Sequence, residues 1–242
     1  MAEFAATPLA EADWSLHPDE ICVWSASLDE PAGIPGQLAA LLAFDERERA
    51  ACFHFARDRD RYTVARARLR ILLAGYLQCA PEALKFSYGP RGKPELARPQ
   101  SDVCFNVSHS HELALYAIGR GRALGVDIEW MRDGVAESGV AERFFAADEV
   151  AALHKLPIAQ RRSGFFACWT RKEAYLKARG DGIAVELDSF SVSLEPGGQA
   201  QLRRGEQIER WRLAALEPAA GYQAALCAEG GDWRMRCFHW PS

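Results

Sequence analysis

The segment Gly125-Val126-Asp127-Ile128-Glu129 sets two carboxylates two positions apart between β-branched neighbours. Side chains alternate along a strand, so Asp127 and Glu129 share one face while Val126 and Ile128 take the other. Same-face positions lie roughly 6–7 Å apart along the backbone. That spacing lets two carboxylates converge on one hard cation. Mg²⁺ takes one or two carboxylates and completes its octahedron with phosphate oxygens and water. The plainer reading is a solvated strand face.

A third carboxylate, Glu173, stands in GFFACWTRKEAYLKARG. Trp169 lies four residues before it, Phe166 seven before and Leu176 three after. Helical spacing therefore places Glu173 beside three large apolar side chains. A carboxylate there is costly unless it is paired or bound to metal. Lys177, one turn on, offers a simple ion pair; Arg171, Lys172 and Lys177 together suit an anionic ligand.

FNVSHSHELALYAIG puts Ser108 and His109 in a polar turn between two strands. A hydroxyl, an imidazole and backbone N–H groups can meet an anion there. No Gly-x-Ser-x-Gly elbow supports a serine hydrolase. Arginines recur at 47, 49, 57, 59, 61, 66, 68 and 70, interleaved with acids. Most read as surface charges, and a few can grip a phosphate bidentately. Lys93, between Gly92 and Pro94, adds one stiffly presented cation. Carboxylates for Mg²⁺, scattered cations and a polar turn make a kit for a polyphosphate-like ligand. On residues alone this is a Mg²⁺-dependent enzyme of a phosphate ester or anhydride.

The elements that must position these groups are legible in outline. Residues 21–28 alternate as a strand, and residues 32–55 carry helical signals with Pro35 near the start. Residues 57–77 form a long helix, basic in its first half and apolar in its second, with Pro81 just beyond. Strands flank the Asn-Val-Ser-His-Ser turn, and residues 122–131 make another. A helix over 141–156 and one over 160–180, stopped at Gly180, come next. Strands at 188–195, 200–204, 211–217 and 222–229 fill the tail. A long helix followed by FSYGPRG and the strand LALYAI is answered by a long helix followed by FSVSLEPGG and the strand YQAALCA. Two similar α+β halves explain that echo; so does the ordinary repetitiveness of α+β chains.

The chain has 242 residues, 49% of them hydrophobic, enough for one large domain or two ordinary ones. A net charge of −4 argues against a general nucleic-acid binder. Seven scattered cysteines form no Cys-x-x-Cys pair, so they read as small hydrophobes in a reducing compartment. The acidic N-terminus lacks the pattern of a signal peptide, and no apolar run reaches ~18 residues. A cytoplasmic protein with no membrane or nucleic-acid partner is expected.

The order RGKP, FNVSHS, GVDIE, RFF with a following acid, then Trp-Thr-Arg-Lys-Glu-Ala-Tyr-Leu-Lys resembles the 4′-phosphopantetheinyl transferases. Within them it is similar to the larger, pseudodimeric branch typified by the activators of surfactin and other peptide synthetases. The likeness runs from about Phe44 to Ala228. It implies an α+β pseudodimer with a coenzyme cleft between an N-terminal half over 1–120 and a C-terminal half over 121–242 that carries the metal site. It implies an enzyme that moves the phosphopantetheine arm of coenzyme A onto a serine of an acyl or peptidyl carrier protein, releasing adenosine 3′,5′-bisphosphate. By the same resemblance Asp127, Glu129 and Glu173 hold Mg²⁺ and Lys177 contacts the pyrophosphate. Lys172 neutralises the leaving group, and Glu173 or a water on the metal takes the serine proton. Ser108, His109, Lys93, Arg61, Arg47 and Arg49 meet the adenosine 3′-phosphate region, and Glu149 is a supporting acid. The carrier is expected to dock near residues 129–145, and two halves in one chain imply a monomer. Two alternatives stay open: another Mg²⁺-dependent phosphate-anhydride enzyme, and a coenzyme A-binding module without catalysis.

Overall fold

Each of the two long helices carries an apolar face that needs a sheet to cover it, and the chain provides one for each. The computed structural model describes residues 4–6, 8–89, 92–135, 139–180 and 186–241. The first sheet runs in the order β1 (Phe4–Ala6), β12 (Arg234–His239), β2 (Glu20–Ser27), β6 (Leu113–Arg120), β5 (Val103–Ser110). The second runs β10 (Trp211–Leu216), β11 (Tyr222–Glu229), β7 (Leu124–Trp130). The long helices are α3 (Ala56–Leu77) and α6 (Ile158–Arg179). Each is followed by a small hairpin: β3 (Lys85–Tyr88) with β4 (Pro94–Arg98), and β8 (Ser191–Val192) with β9 (Leu202–Arg204). Shorter helices are α1 (Ile34–Leu38), α2 (Phe44–Ala51), α4 (Val140–Phe144) and α5 (Ala147–Lys155).

Strand alternation sorts the side chains into layers. Cys22, Trp24, Tyr116 and Ile118 of the first sheet pack with Val64, Leu69, Leu72 and Leu73 of α3. On the opposite face Ile21, Val23, Leu115 and Ala117 meet Val126, Ile128, Ala224 and Leu226 of the second sheet. The far face of the second sheet, with Leu213, Ala225 and Cys227, packs against Phe165, Phe166, Cys168 and Ala174 of α6. The layers therefore run α3, sheet, sheet, α6. The sequence of α3, hairpin, β5, β6 is repeated as α6, hairpin, β10, β11. This is the α+β pseudodimer expected from the sequence.

Several expectations need correction. The helical segment over 32–55 breaks into α1, a 3₁₀ turn at Ala39–Leu41, and α2. The helix over 141–156 breaks at Phe145 and Ala146 into α4 and α5. The Asn-Val-Ser-His-Ser segment is not a turn. It lies within β5, and the chain reverses at His111, where φ is +56°. The strand β12 went unread. It pairs parallel with β2, so the tail of residues 121–242 does not stay with the second sheet. Such a pairing is decided by where the chain can return, not by local alternation.

Gly125 fixes how closely α6 approaches β7. A Cβ at that position would sit 2.3 Å from the Ala178 amide nitrogen and 2.4 Å from the Ala174 carbonyl oxygen. Both are backbone atoms of α6, so no rotamer change relieves the clash. Gly125→Ala is expected to push the helix off the strand at an overpacking cost of about 1–3 kcal/mol or more. Thermal denaturation should show it, at about 2–4 °C of lost Tm per kcal/mol for a chain of this size.

Candidate active site

Because Val126 and Ile128 enter the core between the sheets, Asp127 and Glu129 must face α6. The close contact at Gly125 brings that helix down so that Glu173 and Lys177 arrive over the same strand. Lys177 Nζ lies 2.6 Å from Asp127 Oδ1 and 2.9 Å from Ser108 Oγ. Ser108 in turn donates to Asp127 Oδ1 at 2.9 Å, and Ser110 donates to Glu129 Oε2 at 2.7 Å. Lys93 reaches in from the hairpin side and donates to the Lys177 carbonyl at 2.7 Å. This is a cation on the last turn of α6, where carbonyls lack intrahelical partners.

The electrostatics follow from burial. Burial pushes the carboxyl of Asp127 up, against the pull of Lys177 and Ser108. Burial also raises Glu129, and Asp127's charge adds to the effect. Glu173 is raised by burial and then by the charges of Asp127 and Glu129. The charge of Asp127 thus acts on both Glu129 and Glu173. Lys93 is shifted down by burial.

Asp127 is only 4% exposed, and its Oδ2 is buried and accepts no hydrogen bond. An orphaned carboxylate oxygen among hard oxygen donors is chemistry that suits a divalent cation. Among the described residues, no three acidic, histidine or cysteine side chains form a metal cage by themselves. The expected three-acid centre is therefore not preformed: Lys177 already neutralises Asp127. The acids fit Mg²⁺ only as a partial shell, the remainder coming from ligand phosphate and water.

Ser108 and His109 were expected to act together, but neighbours on a strand face opposite ways. Ser108 is engaged with Asp127 and Lys177. His109 instead lines a cavity of about 270 Å³ with Leu28, Phe53, Asp58, Arg61, Tyr62 and His111. Burial and the Lys177 charge lower its pKa. Arg61, expected to be available to a phosphate, is held bidentately by Asp29 at 2.7 and 2.8 Å, and its third donor reaches His111 O at 2.7 Å. Arg47 donates to the Leu42 carbonyl and is exposed, as is Arg49 on the same helix. Arg66 and Arg70 both bind Glu46. The basic helix is largely neutralised by the chain's own acids.

Lys172 is the clearest correction. It was expected at the leaving group, yet its side chain is 0% exposed and pairs with Glu149 at 2.8 Å. Its ammonium also donates to the Leu187 and Phe190 carbonyls at 2.7 and 2.6 Å and sits over the Phe190 ring. The other half repeats this arrangement. Arg70 pairs with buried Glu46 at 2.7 Å, donates to the Pro81 and Leu84 carbonyls, and lies over Phe86. Glu46 and Glu149 each accept the backbone N–H three residues earlier, from Ala43 and Ala146, at 2.8 Å. The same device occurs in a half whose strand β2 presents Trp24 and Ala26 to its helix instead of acids. It anchors a long helix to the turn that follows it.

Asn106 and Ser110, not among the expected site residues, also reach the strand of acids. Asn106 Oδ1, Ser108 Oγ and Ser110 Oγ accept the N–H groups of Val126, Ile128 and Trp130 at 2.9, 3.4 and 3.0 Å. The sequence signal for them is small polar residues at a period of two, which marks a strand face and not a turn.

Residues 123–227 match the profile of the 4′-phosphopantetheinyl transferase superfamily, and residues 31–119 match that of 4′-phosphopantetheinyl transferase, N-terminal. The chain is 40% identical over 224 residues to the 4′-phosphopantetheinyl transferase HetI of Nostoc sp., covering 92% of this chain and 93% of that one. It is 37% identical over 194 residues to the putative 4′-phosphopantetheinyl transferase slr0495 of Synechocystis sp., covering 80% and 78% respectively.

Proposed function

This chain belongs to the 4′-phosphopantetheinyl transferase superfamily, and from that premise we propose how its cleft serves the reaction. The enzyme transfers the phosphopantetheine arm of coenzyme A to a carrier protein. The coenzyme's pyrophosphate lies against Lys177, and Asp127, Glu129 and Glu173 are the residues that would hold Mg²⁺. When bound, the cation would supply charge neutralisation on the phosphate oxygens, which phosphoryl transfer needs more than covalent help. The adenosine 3′-phosphate end lies towards His109 and Lys93, with the exposed Arg47 and Arg49 forming the outer cationic rim.

In the transfer, the serine oxygen of the carrier bonds to phosphorus as the bond to the bisphosphate leaving group breaks. The serine proton passes to a base. Glu173 is the candidate, as the carboxylate that α6 carries to the strand acids Asp127 and Glu129. Lys177 offsets charge on the oxygens. The observation that carries this reading is a pair of strand carboxylates, each hydrogen-bonded by a serine of the other sheet, with Lys177 across one of them and an unpartnered buried oxygen at Asp127.

We further infer that the chain divides near residue 120 into two halves that do the work of a dimer, so that a monomer is active. The carrier docks near residues 129–145. The cysteines all carry free thiols, which suits a reducing compartment such as the cytoplasm. No helix among the described residues is long and apolar enough to cross a membrane. The test is mass transfer. Incubation with coenzyme A, Mg²⁺ and an apo carrier protein should add one phosphopantetheine group to the carrier. Hydrolysis of the coenzyme with no adduct on several carriers would point instead to a phosphate-anhydride hydrolase.

A further inference from the structure

The edges of the two sheets meet along β5 and β7 without joining into one sheet. Edge strands leave a row of backbone N–H groups that must find partners when buried. Here the partners are side chains. Asn106, Ser108 and Ser110 take the N–H groups of Val126, Ile128 and Trp130 at a constant offset of 20 residues. Both strands contribute every second residue, so a slip of one position would turn the acids into the core.

We infer that Asn106, Ser108 and Ser110 form a register key for the reaction site, and that Ser110 is the positioning residue for Glu129. The inference rests on the metal role proposed for Glu129 and extends it to residues outside the cation's own shell. A serine hydroxyl has one proton and two lone pairs. Ser110 accepts from Trp130 N and gives its proton to Glu129 Oε2, so one side chain fixes both the strand and the carboxylate that strand carries. Ser108 repeats the pattern with Ile128 N and Asp127 Oδ1. The two acids are not equally dependent on it. Asp127 Oδ1 is also held by Lys177 at 2.6 Å, whereas Glu129 takes its side-chain hydrogen bond from Ser110. Groups that orient a metal-ligating carboxylate typically affect metal affinity 10–100-fold. The key is also the physical link by which the first half sets the geometry of acids carried by the second.

The experiment compares wild type, Ser110→Ala, Ser110→Thr and Ser110→Cys. Mg²⁺ is titrated calorimetrically into protein with coenzyme A, and thermal melting and carrier modification are measured alongside. Ser110→Ala should weaken Mg²⁺ binding by about 10–100-fold, and its kcat should recover at saturating Mg²⁺. Ser110→Thr, which keeps the hydroxyl on a strand-compatible residue, should restore affinity. Ser110→Cys fills the same space with a weak donor; it should follow alanine, and it serves as the test if alanine does not fold. Wild-type Mg²⁺ affinity in Ser110→Ala or Ser110→Cys, whatever the change in melting, would overturn the positioning role while leaving the transferase reading intact. A wild-type protein that modifies the carrier but takes up no Mg²⁺ would remove the premise itself.

Discussion

Replacing Asp127 with alanine should lower carrier modification by about a thousandfold, the scale seen when one preorganised electrostatic group is removed from a reaction site. Asp127 is where the two halves meet chemically: β5 contributes Ser108 and α6 contributes Lys177 to a single carboxylate. Without it, Lys177 loses its counter-charge and the proposed Mg²⁺ loses its most buried oxygen. The fold should survive, because burial disfavours the ionised form of this carboxyl. The sign is specific. A carboxyl whose folded pKa is raised binds its proton more tightly when folded. Its contribution is therefore fully present below the ordinary carboxylate range, near pH 4, and is lost as pH rises through the folded value. The Tm of Asp127→Ala relative to wild type should thus improve as the pH is raised above the ordinary carboxylate range. Mass spectrometry of the carrier gives the first quantity and melting followed by circular dichroism the second. Transfer within tenfold of wild type would sink the assignment of Asp127.

Lys172→Met should be damaging for a different reason. It leaves Glu149 buried at 1% exposure with no counter-charge, a cost of about 3–5 kcal/mol. The expected signature is a fall in Tm of roughly 10 °C or more, with transfer by the remaining folded protein close to wild type at low temperature. Lys172→Arg should be mild, because Arg70 fills the matching position of the other half with the same partners. A Lys172→Met protein that melts like wild type but has lost kcat would return this lysine to the leaving group.

The long helices, most strands and the echo between the halves were legible because apolar periodicity is a local property. Each half buries one helix face and both faces of its sheet, so the pattern had to be written into the string. The acids were legible for the same reason. Asp127 and Glu129 had to share a face on any strand, and Glu173 had to sit beside large apolar neighbours on any helix. Charge roles were less legible. A lysine two turns from buried phenylalanines and a row of arginines look alike in sequence whether they face a ligand or an internal acid. Lys172 went to Glu149, Arg61 to Asp29 and Arg66 to Glu46.

By itself, then, the amino-acid order determined the type of elements, the faces they bury and the set of carboxylates available for chemistry. Only the tertiary structure decided which cations meet the strand acids and which meet internal ones, that Ser108 and His109 part company, that β12 returns to the first sheet, and that Asn106, Ser108 and Ser110 accept the N–H groups of β7. The reason is physical. Period and propensity act over a few neighbouring residues, whereas a hydrogen bond or ion pair between residues far apart in the chain depends on which surfaces the packed layers bring within about 3 Å.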